Sequence, residues 1–97
     1  MEFQALVDDI KSRAAKAAAI GKVLKFDLGG EYITLDGTGD DNVVSTDDQQ
    51  ADCTIKVSKD NLVKVMNGSL NPMMAFMTGK VKVDGDMSVA MKLQNLV

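Results

Sequence analysis

The 97-residue sequence contains no histidine and a single cysteine, Cys53. Without histidine the chain lacks the commonest general base and the commonest metal ligand. One cysteine excludes a disulfide within the chain and suits a reducing compartment. No apolar run approaches the length that spans a bilayer. The N-terminal segment carries Glu2, Asp8 and Asp9 and has no continuous apolar stretch, so it does not read as a secretory signal. A basic excess is also missing. The net charge is -3, nothing in the composition attracts a phosphate backbone, and nucleic acid is not an expected partner.

What is present describes an ordinary small globular chain, 45% apolar and 26% charged. One domain is expected across residues 1–97, with no room for a second core and a thin margin of stability. The unusual feature is methionine. There are seven, against only four aromatic residues, and six of the seven fall between Met66 and Met91. Flexible, polarisable methionines either fill irregular gaps in a core or line surfaces that adapt to variable apolar shapes, and composition alone favours gap filling.

Phe3, Leu6, Val7, Ile10, Ala14, Ala17 and Ala18 recur at helical spacing and predict an amphipathic helix over residues 2–20, stopped by Gly21. Alternation then predicts strands at Lys22–Leu28 and Glu31–Asp36, joined by a two-residue Gly29-Gly30 loop. A short strand at Val43–Ser45 and a fourth carrying Cys53, Ile55 and Val57 follow. They are separated by a turn at Asp47-Asp48-Gln49-Gln50. Ser58 or Asp60 caps a helix with Leu62, Val63, Val65 and Met66, and Asn71-Pro72 opens a second with Met73, Met74, Phe76 and Met77. A fifth strand spans Lys80–Asp84 with Val81 and Val83 facing inward. Asp86 then caps a last helix from Met87 to about Leu96. That helix is apolar on two sides, Met87, Ala90 and Met91 on one and Val89, Leu93 and Leu96 on the other. It is therefore expected to be buried or to face a partner or ligand.

Several segments of the second half, taken together, carry a resemblance. They are Ala51-Asp52-Cys53-Thr54-Ile55, Met66-Asn67-Gly68, the run Asn71-Pro72 through Ala75-Phe76 and Gly79-Lys80 to Asp84-Gly85-Asp86-Met87, and Ala90-Met91-Lys92-Leu93. From Ala51 onward the chain resembles the C-terminal half of the sterol carrier protein type 2 domain, while the first half is similar in organisation only. The resemblance implies an α+β fold, a five-stranded mixed sheet with helices layered on one face, enclosing an apolar tunnel. It implies non-catalytic binding and transfer of fatty acid, fatty acyl-CoA or sterol, transient contact with membrane surfaces and no cofactor. Matched to the motif, Met66, Met73, Met74, Phe76, Met77, Met87 and Met91 become tunnel wall. The apolar faces of the predicted elements add Leu6, Ile10, Phe26, Ile33, Leu62 and Ala90. Many members of the family end in a peroxisomal Ser-Lys-Leu-like tripeptide, whereas this sequence ends Asn95-Leu96-Val97. The expectation is a cytoplasmic protein, or a peroxisomal one if the native C-terminus extends beyond Val97. The family's N-terminal helix is often longer, and a shorter one is expected to leave the pocket more open.

The remaining polar candidates each admit a plain alternative. Arg13, at the flank of the first helix's stripe, either meets a ligand carboxylate or pairs with Asp9 one turn earlier, and the spacing favours the pair. Gln94 either reaches a head group or ends a helix at the surface. Cys53 lies on the inward face of its strand, where an inert thiol is expected because no histidine activates it. Asp36, Thr38, Asp40, Asn42 and Asp47 lack the glycine and closing glutamate of a calcium loop and read as a solvated acidic turn. No metal site is expected. Lys80 and Lys82 share one face of an edge-like strand, placed to touch anionic head groups or to guard the edge. A lipid-sized void of ~300 Å³ would cost roughly 7 kcal/mol, so a sealed pocket is expected to collapse when empty or to be filled. The competing reading is a protein-interaction or dimerisation module using the apolar C-terminal helix, in a chain that is otherwise a monomer or weak dimer. An acyl-CoA thioesterase has no nucleophile–base pair to support it.

Overall fold

The computed structural model describes residues 2–92. The elements run α1 (Phe3–Lys16), β1 (Val23–Asp27), β2 (Tyr32–Asp36), β3 (Val43–Ser45), β4 (Cys53–Val57), α2 (Lys59–Met66), α3 (Pro72–Met77), β5 (Val81–Gly85) and α4 (Met87–Met91). The five strands form one mixed sheet in the order β3-β2-β1-β4-β5. β1 and β4 pair in parallel, and the other three pairings are antiparallel.

Register decides which side chains share a face. Phe26 lies opposite both Ile33 and Ile55, Leu24 opposite Leu35 and Cys53, and Ile55 and Val57 opposite Val83 and Val81. These residues line one face, and the buried sides of the helices cover it: Leu6, Val7, Ile10 and Ala14 of α1, Leu62, Val65 and Met66 of α2, Ala75 of α3 and Val89 of α4. All helices therefore lie on one side of the sheet, and the core is a single layer between them. The two-residue loop at Gly29-Gly30 is formed as expected. Both glycines have positive φ, and the Leu28 N–H closes the hairpin on the Glu31 carbonyl at 2.8 Å.

The structure corrects the expected length of α1. It ends at Lys16, four residues short, because Asn42 supplies a tertiary cap. The Asn42 amide donates to the carbonyls of Ala14 (3.1 Å), Ala17 (3.4 Å) and Ala18 (3.1 Å), and its oxygen accepts from the Ile20 N–H at 3.0 Å. Carbonyls orphaned at a helix end need such partners. A residue read as part of a solvated acidic turn thus anchors the helix to the β2–β3 connection.

The second correction concerns residues 46–52, where only a turn at Asp47-Asp48-Gln49-Gln50 was expected. Because β4 pairs with β1, the chain leaving β3 has to cross the sheet, and it does so on the face away from the helices. Thr34 lies beneath it, fully buried, and its hydroxyl donates to the Asp47 carbonyl at 2.7 Å. The Lys25 ammonium donates to Asp48 at 2.7 Å and to the Gln49 carbonyl at 3.1 Å, while lying 5.4 Å from the Tyr32 ring centroid. The crossover ends at Asp52, whose carboxylate accepts from the Val23 N–H at 2.8 Å and whose carbonyl accepts from the Asp86 N–H at 3.0 Å.

Asn42→Ala removes the amide that donates to the Ala14, Ala17 and Ala18 carbonyls and leaves the Ile20 N–H without its acceptor, so it should destabilise the protein by about 1–3 kcal/mol. Urea unfolding followed by circular dichroism measures this, and a change within about 0.3 kcal/mol would show that the cap is dispensable.

Candidate functional site

Between α3, α4 and the β5 side of the sheet lies an apolar cleft of about 250 Å³. Ile55, Val81 and Val83 form its floor, Pro72, Met73 and Phe76 one wall, and Met87, Ala90 and Met91 the other. Both walls are set by helix starts. The Asn71 side chain accepts from the Met73 N–H at 2.8 Å with Pro72 in the first helical turn, and Asp86 accepts from the Ser88 N–H at 2.9 Å. The Ser88 hydroxyl and N–H also hold the Asp86 carboxyl below its ordinary pKa. Gly85 allows the sharp entry into α4. It has φ of 108°, and a Cβ there would lie 2.5 Å from the Asp52 carbonyl oxygen.

Every described residue lining the cleft is apolar, so none of them donates a side-chain hydrogen bond. The wall residues stand half in solvent: Met73 is 42% exposed, Phe76 41%, Met87 44% and Met91 43%. Among the described residues the space is therefore an open-sided cleft and not a sealed tunnel.

Met73, Phe76, Met87, Ala90 and Met91, five residues singled out from the sequence, come together here. Leu6, Ile10, Phe26, Ile33 and Leu62 do not line the cleft. They are at most 1% exposed and interdigitate in the core beneath α1 and α2, where large side chains leave no room. Met66 is buried at the end of α2, beside a shallow groove shared with Leu70 and Asn71. Met74 and Met77 point away from the cleft and are 54% and 74% exposed. Gln94, with Leu93 and Leu96, lies outside the described residues. Arg13 is not a cleft residue. Its guanidinium pairs with Asp9 at 3.1 Å on α1, the helix that packs toward β3 at the far edge of the sheet. Ile55, Val81 and Val83 were legible as inward-facing, but only strand order makes them a floor, and Pro72 was read as a helix start alone.

No other chemistry gathers at this site. Cys53 is fully buried, and burial, reinforced by Asp86 and Asp84, pushes its thiol up to about 11. No cluster of metal-ligating side chains occurs among the described residues. Within the same residues no helix is long and apolar enough to cross a membrane.

A one-faced α+β sheet with an apolar cleft at its edge defines a small binding domain built around an apolar ligand space. The chain belongs to the SCP-2 sterol transfer family, whose sequence profile it matches over residues 3–97. It is 47% identical over 58 residues, 60% of its length, to sterol carrier protein 2 of Bos taurus. It is 34% identical over 98% of its length to hydroxysteroid dehydrogenase-like protein 2 of the same organism. The chain spans 11% and 23% of those two proteins. A palmitated SCP2L2 from Aedes aegypti has the same fold, with a TM-score of 0.71 over 96% of this chain and 91% of that one at 20% identity.

The raised pKa carries a sign. The Cys53 thiol ionises near 9 when unfolded and near 11 when folded. Its contribution is complete below pH 9 and is lost as pH rises toward 11, because only the unfolded chain releases the proton in that window. Unfolding midpoints should fall between pH 9 and 11 in the wild type and fall less in Cys53→Ala. At pH 8 an aromatic disulfide reagent should modify Cys53 only as fast as the chain opens. Immediate stoichiometric labelling of the native protein would contradict this burial.

Proposed function

We propose that the cleft binds the acyl chain of a lipid and that the protein carries or presents that lipid without transforming it. The observation that supports this is a lining of nine described residues without one polar side chain among them, walled by half-exposed methionines and Phe76. Such a surface favours no head group. It favours methylenes, each worth about 0.8 kcal/mol when taken from water. Ten or so methylenes then supply about 8 kcal/mol gross, which after ordering and association costs corresponds to micromolar binding. Membership of a sterol transfer family agrees with lipid as the ligand class. The Aedes aegypti relative shares only the fold at this identity, so the acyl-chain reading rests on the cleft itself.

Size separates the lipid classes. A cavity of ~150 Å³ accommodates a benzene ring. The 250 Å³ here holds a segment of linear chain more readily than a rigid four-ring sterol. Flexible methionine walls adapt to a bent chain at little energetic cost. Met73, Phe76, Met87, Ala90 and Met91 are the proposed ligand residues, with Ile55, Val81 and Val83 beneath them. The role is non-catalytic. The chain has no histidine to act as base, and its one thiol is buried and weakly acidic. The competing docking role for α4 loses support within the described residues. Val89 enters the core there, while Met87, Ala90 and Met91 turn to the cleft.

Displacement of a fluorescent fatty acid, with native mass spectrometry for stoichiometry, tests the reading. The wild type should bind one long-chain fatty acid with micromolar affinity. Ala90→Phe fills the cleft and should weaken binding at least about tenfold, which is 1.4 kcal/mol, with a small change in melting temperature. Absence of any fatty-acid adduct, or equal binding by Ala90→Phe, would sink the proposal.

A further inference from the structure

We propose that the thioethers of Met73, Met87 and Met91 form a redox-sensitive modification site, which a hydroperoxide oxidises to sulfoxides and which, once oxidised, releases the lipid chain. The inference rests on the acyl-chain reading of the cleft and deepens it with a means of emptying the same site.

Oxidisable sulfur is spread unevenly through the fold. The sequence has no histidine and no tryptophan, and its one thiol, Cys53, is fully buried. Apart from Cys53 and Met66, the core is built from Leu, Ile, Val, Phe and Ala side chains. The other five described methionines stand partly in solvent. Met73 on α3 and Met87 and Met91 on α4 line the cleft, so both of its walls carry sulfur. Met87 and Met91 are four residues apart and share one face of their helix. Met74 and Met77 are more exposed still and lie outside the lining. One short chain thus holds the same side chain in three settings: buried, at the cleft, and exposed away from it.

The chemical step is a two-electron oxygen transfer. A lone pair on Sδ attacks one peroxide oxygen, and the S–O bond forms as the O–O bond breaks. The second oxygen leaves with the proton of the first, as water when the oxidant is hydrogen peroxide. Sulfur is oxidised, the peroxide is reduced, and nothing else is consumed. Access is the one thing the protein has to supply, and each of the three wall methionines is 42–44% exposed.

The consequence for the ligand follows from the lining. A sulfoxide oxygen is polar and accepts hydrogen bonds, and none of the described lining residues has a side-chain donor to offer it. At these exposed positions water solvates the oxygen until a ligand covers it. An acyl chain laid against the oxidised wall displaces that water and returns no hydrogen bond, so binding acquires a desolvation cost that the thioether wall does not impose. The fold does not share the cost. α3 and α4 are anchored by the fully buried Ala75 and Val89 and started by the Asn71 and Asp86 caps, and none of these carries sulfur. The change is reversible, because methionine sulfoxide reductases restore the thioether.

The test treats the full chain with dilute hydrogen peroxide. Sulfoxides are assigned residue by residue by peptide mass spectrometry, and fatty-acid affinity is measured by displacement before and after. Met73, Met74, Met77, Met87 and Met91 should oxidise well before the buried Met66. Saturating fatty acid should slow oxidation of Met73, Met87 and Met91 and leave Met74 and Met77 unprotected. The oxidised wild type should lose at least about tenfold in affinity and keep its circular dichroism spectrum. Reductases for both sulfoxide epimers, with dithiothreitol, should restore binding. M74L/M77L should respond to peroxide as the wild type does, whereas M73L/M87L/M91L should show one affinity before and after treatment. Unchanged wild-type affinity with all three wall methionines converted overturns the switch. Equal loss of affinity in M73L/M87L/M91L also overturns it, because the sensitive group then lies elsewhere. Affinity lost only together with the circular dichroism spectrum overturns it in favour of unfolding. Failure of the untreated wild type to bind fatty acid removes the cleft reading and the switch with it, whereas binding that survives oxidation removes the switch alone.

Discussion

The parallel pairing of β1 with β4 is the constraint on which the rest of the molecule depends. It places Phe26 between Ile33 and Ile55 at the centre of the sheet and forces the chain after β3 to cross the outer face. That crossing is held by Thr34 and Lys25 and ends at Asp52, which ties the start of β1 to the turn after β5. β5 pairs with β4 beyond it as the edge strand, which sets Val83 opposite Ile55 and Val81 opposite Val57 as the floor of the cleft.

The two halves of the sheet are covered differently. In the larger part, Leu6 and Ile10 of α1 and Leu62 of α2 join Phe26 and Ile33 in the core, and their burial is complete. Over β4 and β5 the described cover is α3 and α4, and between them the described residues leave the cleft. The space they leave is bounded by methionines, whose unbranched side chains lose little when they stand partly in water and gain when an apolar guest arrives. Cleft and core are thus the same architecture with a thinner roof.

In the proposed role this division has a physical logic. The filled half supplies stability that does not depend on the guest, and the open half can exchange it. Chemistry is not needed and the means for it are poor, since the buried thiol is held protonated by the same layer that stabilises the sheet.

Much of this was legible in the chain before folding. The alternation of Leu24 and Phe26, of Ile33 and Leu35, and of Cys53, Ile55 and Val57 is a local steric signal, and it assigned both strands and faces. The capping residues Ser58, Asn71 and Asp86 act within one turn and announced their helices. The methionine-rich helices pointed to the end of the molecule where the cleft lies. What the sequence could not order was anything that depends on residues far apart meeting in space. Asn42 capping α1, Thr34 buried under the crossover, and the separation of Phe26 and Ile33 from Met87 and Met91 into core and cleft all follow from strand order. An apolar residue carries no local mark of whether a helix will cover it completely or by half. That is decided when the sheet closes its register, and here it buried Phe26 and Ile33 completely and left Met87 and Met91 half exposed at the edge.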